Sequence, residues 1–410
     1  MSALGTEAWQ GANTFPEDNP LRERLIDFVK SVDWDALLRH PRGLRGIACK
    51  LSQSYTAGLD NTAGLDNVVR RIDFADGVQW VARVRMPDME GVRRRELPNS
   101  RLTMEVEIAT MAYLKKHTNI PVPEVHAYRL EANTNVGAPF MIMDYIHGTV
   151  EQDLAEAKDY DLQNNTAFWK RMAEIQIELA SCTFDCIGSL YKTWGTYKIG
   201  PEQDTGKGPW TTAELYWNDL AKSYHTTAEQ RGSLQLKHSP SFQLPSKFIE
   251  LIKSYGNPSQ KKKFCLVNRD FSPHNVLVND KLEIVGVIDL DSVMAAPIEI
   301  VAQFPALSLL NRPIPFYQEI EKGARALEGI KATQPLLDRY VGYLREAAEA
   351  SENKEDLLEI VQWMTEDGAS IVEGLQKYGQ HWLFVNELWW KAYEKLAEKK
   401  QMEAEDKKYQ

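Results

Sequence analysis

The chain has 410 residues, 43% hydrophobic and 26% charged, more than one compact core holds and suited to two lobes. Its 48 Lys and Arg against 58 Asp and Glu leave a net charge of −10, without the broad basic footprint of a nucleic-acid binder. No run of 18 apolar residues occurs, so no membrane-spanning helix is expected. Residues 1–18 lack the basic and apolar regions of a secretory signal. The four cysteines follow no zinc or disulfide pattern and read as reduced thiols in a cytoplasmic setting.

Residues 1–20 are polar and read as a tail. Leu21, Leu25, Phe28, Val29 and Val32 then recur at helical spacing. Asn19 is placed to cap that helix, with Pro20 at its first position. Val68 to Phe74 and Val78 to Val84 are β-branched runs around Ala75-Asp76-Gly77, which predicts a β-hairpin. Leu102 to Lys116 carries Met104, Ile108, Met111 and Leu114 on one side and predicts a helix, stopped by Pro121 and Pro123. Val122 to Tyr128 and Phe140 to Tyr145 read as short strands. One hexapeptide, Thr56 to Asn61, recurs at once as Thr62 to Asn67. A single copy pair is a local duplication and not a solenoid; its Gly and Asn content predicts a loop.

From about Glu151 the chain is mainly helical, with a strong pattern over Trp169 to Cys182. A second β region, Lys261 to Asp291, interrupts it. The expected organisation is an N-terminal tail and helix over 1–44 and a nucleotide-binding lobe over 45–148. A helical lobe over 149–393 follows, containing a catalytic loop at 267–291. The charged tail at 394–410 is expected to fray.

The informative stretch runs from Val267 to Val278. Asp270 precedes Asn275 by five residues, and Asn275 opens a β run. Fourteen residues later Asp289 ends the apolar run Val285 to Ile288. This is the order of a phosphotransferase catalytic loop and its metal-binding aspartate. An apolar strand fixes the loop, so Asp270 projects toward an acceptor, while Asn275 and Asp289 offer hard oxygens to Mg²⁺. Each residue has a plainer reading. A lone Asp-x4-Asn is common, and Asp289 alone could cap a turn. The order of the three residues within one β region favours the site.

On these residues the chain resembles the aminoglycoside phosphotransferase and choline-kinase-like family, with the look of a fungal member. The family's catalytic loop, His-x-Asp-x4-Asn followed by Ile-Asp, stands here as Asn268-Arg269-Asp270 to Asn275 and Ile288-Asp289. Trp80 to Val84 is similar to the strand that carries the nucleotide-phosphate cation, with Arg83 in that place. Glu107 stands where the family's helix glutamate pairs with the cation. Pro139 to Gly148 is similar to the strand and hinge between lobes, and Phe184 to Leu190 to a segment of fungal members. The resemblance covers about residues 45–305 and implies an α+β, two-lobed protein-kinase-like fold. It implies that ATP lies between the lobes, its base against Met143 to Tyr145 and its phosphates near Arg83. Asp270 would act as base, and Asn275 and Asp289 would hold Mg²⁺. The implied reaction moves the γ-phosphoryl group to a hydroxyl of a small-molecule acceptor; no nucleic-acid or membrane partner is expected.

Two departures stand out: Asn268 replaces the family's histidine, and the phosphate-covering region holds the duplication with only Gly58 and Gly64. They keep two alternatives open, a kinase-fold pseudoenzyme and a repurposed nucleotide-dependent transferase. Trp363, Trp382, Trp389, Trp390 and Tyr393 read as helical core. The other reading is an aromatic wall for a cationic acceptor, charged by Glu366, Asp367 and Glu373.

Overall fold

A computed structural model describes residues 9, 11–60, 64–87, 100–150, 164–203, 205–231, 240–255, 263–272, 275–305, 310, 312, 315–316, 324–380 and 387–409. The first helix, α1 (Pro20–Ser31), starts where its cap predicts: the Asn19 side chain accepts the Leu21 N–H at 2.9 Å. A second helix, α2 (Trp34–Arg45), follows; Asp33 accepts the Ala36 N–H at 2.8 Å, and Gly46 ends the helix at φ 65°. Pro41 and Gly43 inside α2 broke its periodicity in the sequence. The presumed tail also holds structure, a 3-10 turn at Gly11–Thr14.

These elements cover one face of an antiparallel sheet made of β1 (Cys49–Asp60), β2 (Gly64–Phe74), β3 (Gln79–Arg85), β4 (Val125–Arg129) and β5 (Phe140–Asp144). The spatial order is β1-β2-β3-β5-β4. Strand alternation sends Val68, Ile72, Ala82, Val84, Phe140 and Ile142 into a core with Leu25, Phe28 and Leu37. The opposite face carries Asn67, Val69, Val81, Arg83 and Met141. On that side α3 (Ser100–His117) buries Met104, Ile108, Met111 and Leu114 in the second core.

The duplicated hexapeptide is a correction to the loop expectation. Residues 56–60 of its first copy lie in β1 and residues 64–67 of its second in β2, with Gly58 opposite Asn67, Leu59 opposite Leu65 and Asp60 opposite Gly64. Residues 61–63 lie outside the described ones. Ladder pairing with the long β1 overrode the local turn propensity of Gly and Asn.

The larger lobe is helical, with short strands that carry the site. Its first elements are β6 (Thr149–Val150), α4 (Thr166–Ser181), β7 (Thr183–Phe184), β8 (Gly188–Thr193) and β9 (Thr196–Gly200). Then come α5 (Ala213–Arg231), α6 (Pro240–Tyr255), β10 (Phe264–Asn268), β11 (Val276–Val278), β12 (Ile284–Val287) and β13 (Val293–Ala296). Helices α7 (Ile298–Val301), α8 (Ala324–Glu349), α9 (Lys354–Met364), α10 (Asp367–Gln380) and α11 (Glu387–Tyr409) complete it. The strands form two sheets, β7-β10-β13-β8-β9 and β12-β11-β6. The whole is the α+β, two-lobed arrangement of the protein-kinase-like fold.

The hairpin β8–β9 was not anticipated: it interrupts a half expected to be mainly helical, although Tyr197 and Ile199 alternate with Thr196 and Lys198 along β9. The expected fraying tail is instead the continuation of α11: Leu396 is buried, and Lys399 reaches Asp367 at 2.5 Å. Trp363 is buried in the core. Trp390 and Tyr393 lie 5.9 Å apart under the Lys247 ammonium, 4.6 Å from the Trp390 ring. Trp382 lies outside the described residues. No described helix is long and apolar enough to cross a membrane.

Candidate active site

β10 pairs with both β7 and β13 and leads at its end into the loop that carries Asp270 and Asn275. Asn268, 7% exposed, turns its Oδ1 to the Asp270 N–H at 3.0 Å. The Ser272 N–H donates to the Asp270 carbonyl at 2.8 Å, and the Asn275 N–H to the Ser272 carbonyl at 3.0 Å. Phe271, buried, pins the loop to the core. The departure at Asn268 is thereby explained: its carboxamide holds the loop through a backbone hydrogen bond that needs no titratable ring.

Asn275 is buried, and its Nδ2 donates to Asp270 twice, to the carbonyl at 2.9 Å and to Oδ2 at 3.2 Å. The structure thus brings Asp270 and Asn275 together. The Ile288 N–H donates to the Asn275 carbonyl at 3.0 Å, tying the residue before Asp289 to the loop. Asp289 sits at φ 57°, a left-handed conformation that aspartate tolerates better than most residues. Its side chain is 39% exposed.

Arg83 reaches the same point from the small lobe. Its Nη1 pairs with Glu107 on α3, and its Nη2 donates to Asp289 Oδ1 at 3.0 Å. The ion pair between lobes joins residues 206 apart in sequence. Burial works against the guanidinium charge, but Glu107, Asp289 and Asp291 together hold its pKa above the ordinary value. Burial pushes the Glu107 carboxyl up, against the pull of Arg83.

Met143 and Tyr145 sit differently from expectation. Met143 is inside the sheet, paired with Val81 and Val125. The Tyr145 N–H donates to the Gln79 carbonyl at 3.3 Å. Its ring meets His147 edge-on at 4.7 Å and Trp9 at 6.2 Å. The backbone edge expected to face a base is therefore engaged in the sheet up to Tyr145.

Two contributors escaped the sequence. Asn67 is buried beside Arg83; alternation along β2 put it on the Arg83 face, a signal hidden by the loop expectation. Glu202, 2% exposed at its side chain, pairs with Arg269 at 2.8 Å. The Arg269 Nε donates to the Ser292 carbonyl at 3.3 Å, tying the loop to β13. Nothing in the sequence links residues 202 and 269.

Among the described residues no group of three or more His, Cys, Asp and Glu is arranged to hold a metal. Asp289 and Asn275 nonetheless fit Mg²⁺, which takes one or two carboxylates and completes its shell with substrate phosphates and water. With Nδ2 given to Asp270, Oδ1 is the Asn275 atom with lone pairs to offer a cation.

Fold and site define a phosphoryl-transfer scaffold, and the chain belongs to the phosphotransferase enzyme family, whose model matches residues 61–300. A subtelomeric hrmA-associated cluster protein of Aspergillus fumigatus is 27% identical over 158 residues, 36% of this chain and 28% of that protein. The chain thus matches less than a third of that relative's length. Altered inheritance of mitochondria protein 9 of Kluyveromyces lactis is 28% identical over 96 residues, 22% of this chain and 15% of that protein. Among solved structures, a macrolide 2'-phosphotransferase type I is similar at TM-score 0.44 and 13% identity, covering 89% of this chain and 97% of that one. An aminoglycoside phosphotransferase in ternary complex with AMP-PNP and hygromycin B is similar at TM-score 0.43 and 16% identity, covering 84% and 98%.

Proposed function

We propose that the chain transfers the γ-phosphoryl group of ATP to a hydroxyl of a small molecule. The observation that carries this reading is the Arg83–Asp289 ion pair between lobes, set beside the Asp270–Asn275 hydrogen bond. Asp270 accepts the proton of the acceptor hydroxyl, its carboxylate oriented by Asn275. Arg83 binds nucleotide phosphate, held in place by Glu107. Asn275 and Asp289 hold Mg²⁺, which neutralises phosphate charge when bound. Catalysis on such a site is positioning and charge neutralisation. The base meets the hinge after Tyr145, at residues 146–148, since Met143 is committed to the sheet. The four free cysteines support a reducing, cytoplasmic setting. The acceptor is left open; a cationic one would need acidic groups beyond those that already face Arg312 and Lys399.

The loop-holding bond of Asn268 supports turnover over the pseudoenzyme alternative. A combined measurement tests the choice. ATP with Mg²⁺ is expected to raise the melting temperature, ATP with EDTA much less, and labelled ATP with a pool of cell metabolites to yield ADP and a phosphorylated product. Asp270→Asn should keep the thermal shift and lower product formation by about 10²-fold or more, the scale of a proton-transfer group. A metal-dependent shift with no product from any pool favours the pseudoenzyme; AMP release favours a repurposed transferase. No shift with any nucleotide removes the reading.

A further inference from the structure

The arginine at position 83 raises a question that a lysine there would not. An ammonium can rotate toward any anion, whereas a guanidinium is a flat fork that binds phosphate well only when its plane is set. Glu107 grips Nη1 and Asp289 meets Nη2. The remaining Nε edge faces Asn67, which is 4% exposed. Asn67 stands opposite Arg85 on β3, and Val69 opposite Arg83. Asn67 is therefore the diagonal neighbour of Arg83 on the same face, one step nearer the start of β2. An amide nitrogen cannot pair with a guanidinium, since both only donate. With its oxygen toward the arginine, Asn67 accepts from Nη2 at 2.9 Å and from Nε at 3.1 Å. A neutral acceptor fixes the fork without cancelling the charge it presents.

The duplication explains why an asparagine occupies that place. In the observed register Ala57 pairs with Val68, and Gly58 with Asn67. Without residues 61–66, Asn67 would follow Asp60 directly. The Ala57–Val68 pair would then close over four residues, Gly58, Leu59, Asp60 and Asn67, and the asparagine would fall in the turn. The second copy carries the ladder past Asn67 and keeps it in a strand.

We propose that Asn67 is a positioning residue for Arg83, set in place by the hexapeptide duplication; its role rests on the phosphotransferase reading. Two binding measurements on the full chain test it, Mg·ATP and adenosine, since only the first ligand carries phosphates. Asn67→Leu, close in shape and without the acceptor, is expected to weaken Mg·ATP by about tenfold or more, the loss when a hydrogen bond to a charged group goes. Adenosine binding should not change. Asn67→Thr, a good strand former too short to reach, should do the same and serves if the leucine variant does not fold. In an Arg83→Lys background Asn67→Leu should add less than about twofold, because contacting residues are not additive. Removal of residues 61–66 should match Asn67→Leu. Unchanged Mg·ATP affinity in both Asn67 variants overturns the inference, as does an equal loss in the Arg83→Lys background or an equal loss of adenosine. A chain lacking residues 61–66 that binds Mg·ATP like the intact one overturns the part given to the duplication. If the intact chain binds neither ligand, the phosphotransferase reading falls and takes this role with it. Binding by the intact chain with insensitive Asn67 variants sinks the inference alone.

Discussion

Two buried arginine–glutamate pairs flank the candidate site, and they differ in what else the arginine meets. Arg83 and Glu107 have side chains 13% and 4% exposed; Arg269 and Glu202 have 18% and 2%. Chemistry and burial are nearly the same. Arg83 also turns to Asp289 across the lobes, a carboxylate assigned here to the metal. Arg269 turns to the Ser292 carbonyl, which fixes the loop to β13. An ion pair alone therefore says little about function. What the spare donors face separates a group poised for a ligand from a backbone staple.

The sharpest way to break this contrast is to remove each glutamate's charge. Glu202→Gln removes the charge that faces Arg269, and one-sided loss of a buried pair costs about 3–5 kcal/mol. Chemical denaturation should show it. Turnover measured where the variant is still folded should change little. Glu107→Gln should cost about 1–3 kcal/mol, the scale of one lost hydrogen bond to a charged group, because Asp289 still faces Arg83. Its turnover should fall by more than that of Glu202→Gln. If both variants lose stability and turnover in equal proportion, the distinction between the two pairs is wrong.

Asp289→Ala sharpens the same contrast from the ligand side. A ligand that binds only the native state stabilises it by about 2.7 kcal/mol at a hundredfold excess over Kd. The variant should lose most of the Mg²⁺-dependent part of the ATP thermal shift. Retention of the full shift would put the metal elsewhere.

Asn268→His tests the loop. An imidazole nitrogen can accept the Asp270 N–H as the carboxamide oxygen does, so the variant should fold and change turnover by less than about threefold, well under the 10² scale of a proton-transfer group. A pH–rate profile that gains a histidine-like step would mean that position 268 moves protons.

The smallest effect belongs to Glu299, away from the site. Burial raises its carboxyl above the ordinary value, and its Oε2 has no hydrogen-bond partner among the described residues. A raised folded-state pKa means stability is fully present below the unfolded pKa and is lost as pH rises through the folded one. Glu299→Gln should therefore raise the unfolding midpoint at pH 8 and leave it nearly unchanged at pH 4. A variant equally affected at both pH values would show that the charge is not the cause.

Much of this was legible in the residues. The Asn19 cap, the β2–β3 hairpin, α3 and the order Asp270, Asn275, Asp289 depend on local spacing, which sequence displays directly. Three features misled. Pro41 hid α2, the short β8–β9 hairpin was lost inside a half read as helical, and the Gly- and Asn-rich duplication looked like a loop.

By itself the sequence determined the α+β, two-lobed class, the β2–β3 hairpin and α3, because apolar periodicity and short-range motifs are one-dimensional signals. Only the tertiary structure decided which groups meet. Asn67 reaches Arg83 through cross-strand register. Glu202 reaches Arg269 through the packing of segments far apart in the chain. Met143 is withdrawn into the sheet by pairing on both sides. Partners of buried charges and ladder neighbours are chosen by burial and hydrogen bonding summed over distant segments, and no local pattern carries that sum.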